Sequence, residues 1–170
     1  TEDNVLEGLI TVGDITRSYM NVYDSSILSK ACTQYTNIIE TLEGAMLIGD
    51  EREYFKEGKV LIAAANPDMM EYYIEKHDLV ILGNRYESQL CAIEMEAGCI
   101  IVCEGAGVSM TIKKLAQERG CTVITTPYDT YTAARLINQS MPIKHFMTKN
   151  GIIHFDLDDY VDEVLSLIHI

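Results

Sequence analysis

The string Gly8-Leu9-Ile10-Thr11-Val12-Gly13-Asp14-Ile15 stands where an apolar run passes into a segment of helical periodicity. The unpaired N–H groups of a helix start suit a phosphate, and the Thr11 hydroxyl adds a donor beside them. Asp14, one turn further on, carries a carboxylate able to accept both hydroxyls of a ribose. The same spacing also writes a capping box, with Thr at the N-cap and an acidic residue three positions later. Spacing alone leaves both readings open.

A second polar set falls at the ends of β-rich runs: Asn66, Asn84-Arg85, Glu104 and Thr125-Thr126-Pro127-Tyr128-Asp129. In open parallel sheets ligands lie beyond the carboxyl ends of the strands. Arg85 could hold a phosphate or carboxylate there, or pair with Glu87 or Asp129. Asp129 most simply caps the helix that follows it. Arg85, Tyr128 and Asp129 therefore mark a possible crevice, or equally a subunit interface. Two phosphate-binding fingerprints fail. Gly105-Ala106-Gly107 is followed by Met110 where a dinucleotide loop needs its third Gly. Gly44 and Gly49 have P-loop spacing, but Asp50 and Glu51 stand where Lys and Ser/Thr belong.

Catalytic sets are missing. His77, His145, His154 and His169 are scattered, without a Cys or carboxylate at the i+3 or i+4 spacing of a metal pair. Cys32, Cys91, Cys99, Cys103 and Cys121 are odd in number and lie mostly in apolar runs, as buried free thiols of a reducing compartment would. No nucleophile, base and orienting group fall together. The expectation is a chain with no catalytic and no metal site of its own.

The elements that must position these residues are clearest in the middle. Apolar β-rich runs at 59–64, 78–82, 99–103 and 121–125 recur about every 21 residues. Helix-like segments at 68–76, 86–97, 109–119 and 130–139 alternate with them, with Gly98 and Gly120 as expected C-caps. Strands apolar on both faces, alternating with helices, predict parallel βαβ units covered on both sides. The flanks break that rhythm: a strand at 6–10, a helix at 12–19, a short helix at 25–31 and one or two irregular strands within 37–48. After Pro142 a new pattern begins, with a β run at 152–155 and a helix from about Leu157, capped by Asp156, Asp158 and Asp159.

The 170 residues are 48% hydrophobic and 23% charged, which suits one globular domain. Thirteen Lys and Arg face 26 Asp and Glu, for a net charge of -13, so phosphate backbones and anionic lipid are repelled. Neither nucleic acid nor a membrane is an expected partner, and no apolar run approaches the ~18 residues of a membrane span. The first residue is Thr, which reads as a chain cut from something longer.

Taken together, the strings resemble a known arrangement. GLITVGDI with RSYMNVYDSSILSKA resembles the closing part of a CBS motif. VLIAAANPD, DLVILGNRYESQLCAIEMEAGCIIVC and TTPYDTYTAARLINQSMPI are similar to a DRTGG domain, although the literal Asp-Arg-Thr-Gly-Gly string is absent. FMTKNGIIHFDLDDYVDEV resembles the opening half of a second CBS motif. The order CBS–DRTGG–CBS resembles the regulatory insert of family II, manganese-dependent inorganic pyrophosphatases, truncated at both ends. The boundaries implied are 1–32 for the first motif, 33–141 for the DRTGG-like α/β domain and 142–170 for the second.

The resemblance implies sensing. Adenine nucleotides would bind between the CBS motifs, AMP and ADP inhibiting, ATP or diadenosine polyphosphates activating. Diphosphate hydrolysis would occur on a separate domain, with manganese or cobalt and magnesium, whose Asp-His-His motif this chain lacks. By motif match Thr11 and Asp14 would take phosphate and ribose, with Thr148 and Lys149 beside the nucleotide through main chain and side chain. The resemblance further implies a cytoplasmic homodimer formed through the DRTGG-like domain. Two alternatives are a DRTGG-type structural module of another enzyme, such as a phosphotransacetylase, that binds no ligand, and a stand-alone α/β enzyme using Arg85 and Asp129.

Overall fold

A computed structural model describes residues 7–20 and 24–149. The expected β run at 152–155, the helix after it and the caps at Asp156, Asp158 and Asp159 lie outside the described residues. Chain order is α1 (Val12–Met20), α2 (Ile27–Lys30), β1 (Thr33–Gln34), α3 (Tyr35–Thr41), β2 (Ala45–Ile48), β3 (Tyr54–Phe55), β4 (Val60–Ile62) and α4 (Pro67–Met70). Then come β5 (Leu79–Leu82), α5 (Tyr86–Glu94), β6 (Cys99–Val102), α6 (Met110–Arg119), β7 (Thr122–Thr125) and α7 (Thr130–Leu136). Two 3₁₀ turns, Ile137–Ser140 and Ile143–His145, follow.

Five strands form one sheet in the order β2-β7-β6-β5-β4. β4 to β7 run parallel, in register Val60↔Leu79, Leu79↔Cys99 and Cys99↔Thr122, while β2 closes the β7 edge antiparallel. Every residue of β5 and β6 is buried, as the runs without polar alternation require. Because side chains alternate faces, neighbours along one strand enter different cores. Val80, Leu82, Ile100, Val102 and Val123 pack with Ala92, Ile93, Ile112 and Ala116 of α5 and α6. Leu79, Ile81, Cys99, Ile101 and Ile124 pack with Ile38, Leu42, Ala133 and Ile137 on the other side. Each such Ile or Leu contributes about 1.5–3 kcal/mol of burial, so the two cores dominate the fold's stability.

Local signals set the ends of the helices. The Ser109 hydroxyl caps α6 by accepting from Ile112 N, and Gly120 closes it at φ 69°. Gly98 does not cap α5. Glu96 takes the left-handed conformation at φ 60°, and Gly98 instead lies against His77, where a Cβ would come within 2.9 Å of the His77 carbonyl oxygen. The segment 37–48 is also not all strand. Its first half belongs to α3, whose Tyr35 and Ile38, with Leu42 just beyond, are buried at i, i+3 and i+7. Burial on that face outweighs the β preference of Ile38 and Ile39. The expected helix at 68–76 is shorter, with α4 ending at Met70 and turns carrying the chain onward.

Asp78, 1% exposed, ties the strand starts together by accepting from Lys59 N at 2.9 Å and Glu75 N at 2.8 Å. Segment 24–32 is joined to the sheet body by Val60 N donating to Ser25 O at 2.8 Å and by Ser29 Oγ donating to Gly58 O at 2.7 Å.

Candidate functional site

α1 begins at Val12, so Thr11 is its N-cap and Asp14 its third residue. The capping box is complete. Asp14 N donates to Thr11 Oγ1 at 3.2 Å, and Asp14 Oδ2 accepts from Thr11 N at 2.9 Å and from Thr11 Oγ1 at 2.7 Å. This fixes the helix start and holds a carboxylate and a hydroxyl side by side on an accessible surface.

The second flanking segment arrives beside it. Leu9 N donates to Thr148 O at 3.0 Å and Thr148 N donates to Leu9 O at 2.9 Å, an antiparallel bridge between residues 139 positions apart. Gly8 permits this approach: a Cβ there would lie 2.9 Å from Met147 Cε and 3.0 Å from Thr148 O. The bridge joins the segments carrying Thr11 and Asp14 on one side and Thr148 and Lys149 on the other. It also uses both main-chain groups of Thr148. Thr148 and Lys149 are both exposed.

Arg85, Tyr128 and Asp129 are not brought into such a group. Arg85 donates from Nη2 to Ala65 O at 3.4 Å, and among the described residues it pairs with neither Glu87 nor Asp129. Asp129 caps α7, accepting from Thr132 N at 2.9 Å and Thr132 Oγ1 at 2.7 Å, and the Thr132 hydrogen bonds lower its pKa. Tyr128 is half-buried, and a hydrogen bond with the Glu43 side chain raises its pKa. The strand-end loops are knit together: Glu104 N donates to Tyr128 O and Gly105 N to Thr126 O, each at 2.8 Å, while Thr126 Oγ1 donates to Leu42 O at 2.6 Å. Loop closure and capping thus engage Thr126, Tyr128 and Asp129.

Clefts of about 950, 730 and 370 Å³ open elsewhere. The largest lies between β2 and the end of α6, and the second runs between Tyr54 and the segment from Pro142 to Lys149. None of the three is lined by Arg85, Tyr128 or Asp129. Among the described residues no group of three or more His, Cys, Asp or Glu could hold a metal ion. No described helix is long and apolar enough to cross a membrane. Three buried thiols are poor nucleophiles: burial pushes Cys103 to about 11, Cys121 to about 12 and Cys99 well above its ordinary value.

Sequence reasoning named Lys149 but missed Gly8 as the contact point and missed Lys144 and His145 beside Lys149 on the second cleft. The signal for the latter was present, since no acidic residue falls between Asp129 and Asp156.

A mostly parallel sheet with helices on both faces, and two flanking segments bridged at Leu9 and Thr148, define an α/β module. Residues 37–140 match the DRTGG domain family, and the chain belongs to that family. It is 40% identical over 163 residues to the cobalt-dependent inorganic pyrophosphatase of Clostridium perfringens, covering 95% of this chain and 30% of that protein. It is 28% identical over 142 residues to a probable manganese-dependent inorganic pyrophosphatase of Thermotoga maritima, covering 84% of this chain and 26% of that one. The chain thus spans 30% or less of the length of these curated relatives. Among solved structures it superposes on the CBS and DRTGG domains of the regulatory region of Clostridium perfringens pyrophosphatase, complexed with the activator diadenosine tetraphosphate. The TM-score is 0.89 at 38% identity, over 98% of this chain and 73% of that one. The chain therefore corresponds to a pyrophosphatase regulatory region, with the expected CBS–DRTGG resemblance and α/β fold class in place.

Proposed function

We propose that this chain is the adenine-nucleotide-sensing region of an inorganic pyrophosphatase that hydrolyses diphosphate to phosphate. The observation that carries the reading is the Leu9–Thr148 bridge, which sets Thr11 and Asp14 beside Thr148 and Lys149. The ribose hydroxyls bind at Asp14, a phosphate lies at the Thr11 helix start, and Thr148 Oγ1 with Lys149 completes the contact. AMP and ADP inhibit, and ATP or a diadenosine polyphosphate activates, by binding two arrangements of the flanking segments unequally. Manganese or cobalt with magnesium serves the separate hydrolytic domain, in keeping with the cobalt- and manganese-dependent relatives. The protein is a cytoplasmic homodimer joined through its DRTGG domain.

The test is calorimetric titration of AMP into the intact protein beside Asp14→Asn, which keeps an acceptor for Thr11 N and so preserves the helix start. Binding that weakens at least roughly tenfold in the variant, the worth of one charge-assisted contact, supports the reading. Equal affinity in both proteins would remove Asp14 from the site. The complete capping box favours a second reading, in which Thr11 and Asp14 only start a helix in a scaffold. Absence of any nucleotide binding to the intact protein would establish that one instead.

A further inference from the structure

The cleft of about 730 Å³ has an electrostatic character opposite to that of the molecule. The chain carries a net charge of -13, yet among the described residues no carboxylate lines this cleft. Lys144, His145 and Lys149 line one side, and the amides of Gln34 and Asn37 with the Tyr54 ring line the other. At the chain's average acidic content (26 of 170), the 26 residues from 130 to 155 would hold about four acidic residues, and they hold none. Among the described residues none of the three cationic or imidazole side chains is in an ion pair, whereas Lys30, Lys59, Lys76 and His77 each sit against an acidic partner. Placement is also fixed. The His145 ring stands edge-on to Phe146, with centroids 5.2 Å apart at 87°, and Phe146 packs against the sheet's second core.

Two lysines and an imidazole gathered on one cleft wall, with no ion pair among the described residues, suit a ligand of several negative charges. We propose that this cleft binds a run of two or more linked phosphates, continuing from Lys149 past Lys144 and His145. The proposal rests on the nucleotide reading above only through Lys149, which belongs to both the nucleotide site and the cleft. A single phosphate is satisfied at Thr11 and Lys149, so each phosphate beyond it is what Lys144 and His145 read. The same chemistry is offered by the phosphate tail of a nucleotide and by free oligophosphate, and the experiment separates the two.

AMP, ATP and inorganic tripolyphosphate are titrated into the intact protein without divalent metal, beside Lys144→Gln/His145→Gln, Lys144→Arg and, as a remote control, Lys114→Gln. ATP should bind at least roughly tenfold more tightly than AMP, the worth of about one charge-assisted contact. The double variant should lose that gain while keeping wild-type affinity for AMP, with Lys144→Arg and Lys114→Gln retaining it. Equal binding of AMP and ATP by the unaltered protein, or a gain that survives in the double variant, overturns the cleft and leaves the AMP site standing. Tripolyphosphate binding lost in the double variant, in a protein that ignores AMP and ATP, supports the cleft as a free-oligophosphate site and ends the nucleotide reading instead.

Discussion

Gly8→Ala tests whether the two flanking segments form one site. Its new Cβ would lie 2.9 Å from Met147 Cε, 3.1 Å from Met147 Cβ and 3.0 Å from Thr148 O. The Met147 terminus can swing away, so the backbone oxygen decides the outcome. That oxygen accepts from Leu9 N at 3.0 Å, and moving it by a few tenths of an ångström strains this bond and its 2.9 Å companion. At about 0.5–1.5 kcal/mol net per hydrogen bond, losing both costs about 1–3 kcal/mol. The cost falls on local opening, since neither bond belongs to the five-stranded sheet. Hydrogen exchange at the Leu9 and Thr148 amides should accelerate roughly 5- to 150-fold, with sheet amides and melting temperature unchanged. Gly13→Ala is the counterpart. A Cβ there meets only Thr11 Oγ1 at 3.5 Å, and Ala suits a helix better than Gly by up to ~1 kcal/mol, so protection in α1 should rise. Unaltered exchange at both amides in Gly8→Ala would refute the close-approach reasoning, and a fall in melting temperature would refute the separation from the sheet.

The thiols give a second expectation: Cys32, exposed, should react with a maleimide in the native protein, and Cys99, Cys103 and Cys121 only after unfolding. Cys121 is raised from 9.0 to about 12 by burial, so its neutral form stabilises the fold in full below pH 9 and that stability is lost as pH rises toward 12, by about 1.4 kcal/mol per unit. Cys121→Ala should flatten the alkaline slope of unfolding free energy, and an unchanged slope would deny the thiol that role. Asp78→Ala strands the Lys59 and Glu75 amides, at about 1–3 kcal/mol each, and should shift the urea midpoint downward without moving Leu9 exchange. A midpoint within error of wild type would mean water replaces the carboxylate.

The sheet was legible because its signal is local. Runs such as LVIL and CIIVC are apolar at every position, and only a strand covered on both faces buries them without remainder. The Gly120 cap was legible for a similar reason, since it lies next to the helix end it serves. What escaped depended on distant neighbours. α3 looked like strand because Ile38 and Ile39 are β-branched, and its helical face is defined by packing against Ala133 and Ile137 nearly a hundred residues on. Gly98 was assigned to the wrong job because its constraint comes from His77, on another strand connection.

The candidate site shows the same division more sharply. Thr11 and Asp14 were found from spacing, but spacing cannot separate a cap from a ligand contact, since the same hydroxyl and carboxylate serve both. Arg85 had two candidate carboxylate partners, Glu87 and Asp129, and was placed by the fold against the Ala65 carbonyl instead. The distinguishing feature is the Leu9–Thr148 pairing, which no periodicity encodes. That pairing also sets the condition for regulation. A ligand touching only Thr11 and Asp14 would have the same contacts with the bridge formed or open, and would shift nothing however tightly it bound. A ligand held from both segments gains contacts only when they are joined, so its binding energy biases their arrangement and, through 24–32 and 142–147, reaches the sheet between them.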